Sequence, residues 1–172
     1  FMQEIEQEFD AYQYAANIGL LAPDPITGNG YDYNKHHFLD TDVFSAFVAV
    51  YWDINDRTEL TVGARYTDEE KDGKIEIPYV HLFLQGSFSA PPLIDGLEFE
   101  DDNISPEIAI NYYLNDDVSV FAAYKEGFKS GGIDNSALPT ASLSPPDGDF
   151  GFLVYQSEEA DGFEVGMKGN FL

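Results

Sequence analysis

From residue 43 onward, apolar and polar positions alternate with a period of two. In "DVFSAFVAVYWDI", Phe44, Ala46, Val48, Val50 and Trp52 share one face, and Ser45, Phe47, Ala49 and Tyr51 share the other. The same split recurs in "TELTVGARYT" (Leu60, Val62, Ala64, Tyr66), "SPEIAINYYL" (Ile108, Ile110, Tyr112, Leu114), "VSVFAAYK" (Val118, Val120, Ala122, Tyr124) and "DGFEVGMKGNF" (Phe163, Val165, Met167, Phe171). The pattern predicts five strands, each with one apolar and one mixed polar face. Residues 1–22 read differently: Ile5, Phe9, Tyr12 and Ala16 recur three or four apart, predicting a short helix closed by Pro23, Pro25, Gly28 and Gly30.

Two connections are near copies, "INDRT" and "LNDDV". Face parity makes each a three-residue hairpin loop, pairing Ile54 with Thr58 and Leu114 with Val118. Counting outward, Trp52 opposes Leu60, Ile108 opposes Tyr124, and Glu107 faces Lys125 as a cross-strand ion pair worth at most about 1 kcal/mol. By contrast, residues 67–103 and 127–160 mix proline, glycine and acid with little periodicity and read as long loops. Short turns therefore lie at one end of the sheet and long loops at the other.

Charge narrows the classes. The 172 residues carry 8 basic and 32 acidic side chains, a net charge of -24, which repels a nucleic-acid backbone and leaves no nucleic-acid partner. The acid is expected mostly in the loops, where it keeps them soluble or binds cations. Without cysteine there is no disulfide framework or thiolate chemistry. The chain opens on Phe1 with no signal-like segment and reads as a piece of a longer protein. No apolar run reaches the roughly 18 to 20 residues of a membrane helix, which leaves a membrane barrel open.

A soluble extracellular β-sandwich binding a partner or calcium through acidic loops shares this alternation, but three features favour a membrane sheet. The strands have the 9–11 residue scale of a tilted bilayer crossing, against about five or six in soluble sheets. Aromatics close the apolar faces, Trp52 and Tyr112 near the short turns and Tyr66 and Tyr124 near the long loops, where interfacial girdles fall. Short turns opposite long loops is the outer-membrane arrangement, with short turns facing the periplasm. A sandwich would also need further apolar faces, and one consistent set is present.

The blocks "TDVFSAFVAVYWDINDRTELTVGARYTDEEKDGK", "ISPEIAINYYLNDDVSVFAAYKEGFKSGGIDN" and "ADGFEVGMKGNFL" resemble, in order, the barrel of TonB-dependent outer-membrane receptors, most tellingly at "YKEGFKSGG" and "FEVGMK". The resemblance implies an all-β, antiparallel up-and-down transmembrane barrel fragment, a slice of a barrel of about 22 strands with a plugged lumen. Residues 1–40 are then an extracellular loop segment with the short helix, and 41–172 the partial barrel. It further implies an importer of a scarce nutrient such as a ferric siderophore, cobalamin or a glycan. Its partners would be the bacterial outer-membrane bilayer, a plug domain of the parent chain, the TonB complex through an N-terminal segment, and the small-molecule ligand. A pore-type barrel without energy coupling is separated from this only by the resemblance.

On that frame Gly127, Gly131 and Gly132 let a strand leave the wall for a long outer loop that covers ligand or merely shapes the rim. Arg65, Lys125, Lys129 and Glu107 are lumen or rim candidates for ligand contact, with structural pairing as the competing role. Other signals are weaker. "DEEKDGKI" imitates a calcium loop at Asp68, Glu70, Asp72 and Gly73, but its twelfth position is Tyr79 and a strand precedes it. His36 and His37 are adjacent, share no face and show no third ligand, so they read as loop residues rather than a metal site. "DFG" at residues 149–151 lacks every other kinase element. No nucleophile, base and orienter assemble, so no enzyme activity, cofactor or metal is expected.

Overall fold

The computed structural model describes residues 1–13, 22–87, 90–136, 143, 145 and 147–169, with only the backbone of 11–13. Their main element is a six-stranded antiparallel sheet in simple up-and-down order: β1 (Met2–Gln13), β2 (Tyr33–Asn55), β3 (Thr58–Val80), β4 (Leu93–Tyr113), β5 (Val118–Lys129) and β8 (Glu158–Gly169). A separate two-stranded ribbon pairs β6 (Gly132–Ile133) with β7 (Val154–Tyr155).

The short turns form as their asparagines dictate. Asn55 Oδ1 accepts from the Arg57 amide at 3.0 Å, and Asn115 Oδ1 accepts from the Asp117 and Val118 amides at 2.9 Å each. These local bonds give the backbone its reversal. Trp52 opposes Leu60, Ile108 opposes Tyr124, and Glu107 opposes Lys125, the last as an ion pair at 3.4 Å. One expected pair moves: Asn55, not Ile54, opposes Thr58, and a bulge at Ile54 takes up the difference.

Register joins the apolar faces into one band. Val50, Val62, Ile108, Tyr124 and Phe163 form one cross-strand row, and Trp52, Leu60, Ile110, Ala122 and Val165 the next. Most of these side chains stay exposed, Val50 at 58%, Phe163 at 82% and Val165 at 81%, and no second sheet covers them among the described residues. A soluble monomer rarely leaves so wide an apolar surface bare.

Three expectations change. Met2–Gln13 is a strand, not a helix, paired with β2 along its whole length; residues 14–21 lie outside the described residues. The true period there is two and is carried by the acids Glu4, Glu6, Glu8 and Asp10, whose alternation the helical spacing of Ile5 and Phe9 masks. Second, much of 67–103 is strand rather than loop: β2 and β3 each run 23 residues and β4 runs 21. A bilayer crossing uses about 9–11, so roughly half of each strand continues beyond the band, on the order of 40 Å at about 3.3 Å per residue.

Third, the acid lies largely on these extensions rather than in loops. Glu4, Asp42, Glu70 and Glu100 form one row across four strands, and Glu6, Asp40, Asp72 and Glu98 the next, all on the same side as the apolar band. Alternation persists into this region, but as acid against mixed residues, so the polar–apolar signal fades where the chain does not. The calcium-like stretch Asp68–Ile75 is therefore continuous β3, with Asp68, Glu70 and Asp72 spread along the outer face of an extended strand rather than wrapped in a loop.

Candidate functional site

The opposite, inner face of the extension is covered. Residues leaving β5 fold back over it, and Ile75, Ile77, Ile94 and Leu97 from the sheet pack with Ile133, Leu143 and Leu153 from the covering segment. Ile75, Ile94, Leu143 and Leu153 are essentially without solvent contact. Truncating such a side chain typically costs about 2–5 kcal/mol. The sheet makes room at Gly73, where a Cβ would stand 2.5 Å from the Ile133 side chain.

Polar groups clamp the start of this cover. Lys71 Nζ donates to the Gly131 carbonyl at 2.6 Å and Ser130 Oγ at 3.0 Å, pairs with Glu69 at 2.9 Å, and lies over the Phe99 ring. The Gly131 amide donates to Ser157 Oγ at 3.1 Å, and Ser157 in turn bonds Asp101. Lys35, buried on β2, bonds the Asn135 carbonyl. Burial pushes the Lys35 ammonium down from its ordinary value, and Asp134 opposes that shift.

His37 lies beside Lys35 on the same face, 2% exposed, near the Phe9 ring, with Ile75 opposite, and neither ring nitrogen has a hydrogen-bond partner among the described residues. Burial depresses its pKa from 6.5; Lys35 adds to the shift and Asp134 opposes it. A depressed imidazole pKa means the solvated, undocked state takes the proton first. Docking of the cover is thus fully present above about pH 6.5 and weakens as pH falls toward the lowered value. A nitroxide on a cysteine replacing exposed Asp147 should be more mobile at pH 5.5 than at 7.5, and His37→Phe should remove the difference.

At the tip, Asp24 accepts from the amides of Thr27, Leu82 and Ile26 and from the Tyr79 hydroxyl at 2.8–3.0 Å. These bonds, that from Thr27 foremost and then that from Leu82, hold its carboxyl well below the usual range. The contact ties the β1–β2 connection to the end of β3.

The residues expected from sequence are placed as follows. Arg65 donates to Ser45 Oγ at 3.2 Å, Glu107 pairs with Lys125, and Lys129 pairs with Glu158 at 3.4 Å. All lie on the inner face, dispersed along the wall rather than converging. Gly127 is inside β5, while Gly131 and Gly132 follow its end. None of the three has positive φ. Gly131 is required for space: a Cβ there would stand 2.2 Å from the Tyr155 carbonyl oxygen and 2.6 Å from the Phe99 ring. Trp52 and Tyr112 close the band near the turns, 61% and 41% exposed. Tyr66 and Tyr124 close its other end, with hydroxyls donating to Asp68 at 3.2 Å and Glu126 at 2.6 Å.

The clamp of Lys35, His37, Lys71, Asp101, Asp134 and Ser157 escapes sequence reasoning. Lys71 sits in the calcium-like stretch and His37 in a presumed loop, and only parity extended from Arg65 through Thr67 and Glu69 could have put Lys71 on the inner face.

The model of the family described as TonB dependent receptor-like, beta-barrel matches residues 4–172. No curated protein sequence matches the chain. Among solved structures, the ferric yersiniabactin uptake receptor FyuA from Yersinia pestis is similar with a TM-score of 0.70 at 13% identity, a likeness of fold. The match covers 99% of this chain and 22% of FyuA, so the chain spans about a fifth of that receptor. The uncovered apolar band, the long meander and the near-complete family match lead to one assignment: this chain belongs to the TonB-dependent receptor-like β-barrel family of the bacterial outer membrane.

Proposed function

We propose that this chain forms part of the wall and outer gate of a TonB-dependent importer whose first candidate ligand is a ferric siderophore. The observation that carries the proposal is the segment after β5, folded onto the inner face of the extension and clamped by Lys71. A lid at this position controls entry between the medium and a plug domain in the lumen, and the TonB complex would act on that plug through the parent chain. The short turns face the periplasm, and the extension projects outward. Trp52, Tyr112, Tyr66 and Tyr124 serve as interfacial anchors, the two tyrosine hydroxyls reaching the first carboxylates above the lipid.

The siderophore class is supported by the likeness to FyuA, an uptake receptor for ferric yersiniabactin; cobalamin and glycans are the other classes. Arg65, Lys125 and Lys129 add inner-face cations that suit an anionic chelate. The test is equilibrium binding of ferric chelates, cobalamin and oligosaccharides to the full-length parent, with and without residues 134–152 replaced by a short Gly-Ser linker. A chelate should bind, and loss of the lid should weaken it by about tenfold, roughly 1.4 kcal/mol. A parent that binds only a glycan or cobalamin refutes the iron assignment, and unchanged affinity without the lid refutes the gate.

A further inference from the structure

On the outer face of the extension, the β1–β2 register sets Asp10 opposite His36, and Glu8 follows two residues away on the same face. The ligating atoms of Glu8, Asp10 and His36 lie within 4.8 Å of one another. His36 Nδ1 bonds Asp10 directly as the site stands. Donors to one small divalent ion, each at about 2.0–2.2 Å, stand about 3–4 Å apart, so an ion would replace the proton shared by that pair, with the exposed Asp10 and Glu8 carboxylates rotating to admit it. We infer that Glu8, Asp10 and His36 hold a divalent first-row transition-metal ion, with water completing its coordination.

Two further features point the same way. Asn34 Nδ2 lies 3.0 Å from His36 Nε2, while Asn34 Oδ1 is buried without a partner. As placed, Nε2 accepts from Asn34 and Nδ1 bonds Asp10; a metal taking Nδ1 moves the ring proton to Nε2, which then needs an acceptor. The Asn34 amide, turned end for end, supplies Oδ1 to it, the second partner that orients most metal-binding imidazoles. His36 is also held by Phe38, whose ring is stacked at 25° and 6.4 Å. No lysine or arginine pairs with Glu8 or Asp10 among the described residues, and the nearby Lys74 is engaged by Glu76 at 2.7 Å and by the Phe38 ring.

The donor set sorts the ion. An imidazole with two carboxylates suits zinc, cobalt, nickel or manganese, whereas calcium and magnesium select all-oxygen sites. This separates the site from the carboxylate rows below it, which contain no imidazole. The ion would join β1, which among the described residues pairs with β2 alone, to its neighbour. It lies on the face opposite the clamped lid, off the import path, so it is a resident ion rather than cargo.

The experiment is a cobalt titration of the folded full-length parent in detergent, followed by visible absorption, with zinc and calcium as competitors. Barrel folding of each variant is checked by heat-modifiable gel mobility. One saturable cobalt site should be displaced by zinc and not by calcium. His36→Gln should weaken it by about a hundredfold or more and Asn34→Ala by about tenfold, while Asp42→Asn in the lower row leaves it unchanged. If His36→Gln binds cobalt as the wild type does, or calcium competes on equal terms, the surface is an acidic wall without a built site and the inference fails.

Discussion

Gly131→Ala is expected to release the lid from the inner face, while Gly127→Ala four residues earlier leaves it in place. The new methyl at 131 would meet the Tyr155 carbonyl oxygen at 2.2 Å, the Phe99 ring at 2.6 Å and the Gln156 carbonyl carbon at 2.7 Å. Two of these are backbone atoms, that of Tyr155 held by the β6–β7 ribbon, so neither can yield by a rotamer change. Overpacking of this kind costs about 1–3 kcal/mol even where side chains can move. The displaced backbone would also lose the bonds to Lys71 and Ser157. At Gly127 the nearest atom is 3.7 Å away, an ordinary contact, and the residue lies within β5. Hydrogen exchange at the Ile133 and Asp134 amides would show the contrast: near-complete loss of protection for the first variant and wild-type protection for the second.

Val48→Arg should destabilise the parent barrel in lipid by about 2–4 kcal/mol, the cost of a cation at the bilayer midplane. Val48 lies mid-band, opposite Ala64, with Phe44 and Ala46 before it and Val50 and Trp52 after it on the same face. Tyr51→Arg, three residues along, faces inward beside Thr61 and should cost little, because a charge there is solvated by the lumen. Denaturant unfolding of both variants in vesicles separates the two faces. Equal penalties would mean that neither side meets lipid.

The membrane half of the fold was legible because its rule is simple. Lipid on one side and a wet lumen on the other impose a strict alternation, so Val50, Val62, Ile108 and Val165 align by parity and the hairpin asparagines fix the register. Beyond the band the rule dissolves. With solvent outside and a packed lid inside, β3 alternates acid with glycine, lysine and isoleucine, and hydropathy alone reads Asp68 to Val80 as a loop. β1 was obscured because Ile5 and Phe9 fit a helical spacing as well as a strand. The lid clamp depends on contacts between residues far apart in sequence, such as Lys71 with Gly131 and Lys35 with Asn135. No local pattern encodes these. The three-glycine stretch drew notice for flexibility, yet at Gly131 the structure calls for close approach.

The apolar band faces lipid and the opposite face the lumen. This placement is tested most directly by spin labels at Val62 and Val120, and at Thr61 and Ser119, in the full-length parent reconstituted in lipid, read by accessibility to oxygen and to a water-soluble relaxer. Oxygen access and exclusion of the aqueous relaxer are expected at Val62 and Val120, with the reverse, or contact with the plug, at Thr61 and Ser119. Shielding of Val62 and Val120 from both reagents would make the band a protein core and contradict the assignment.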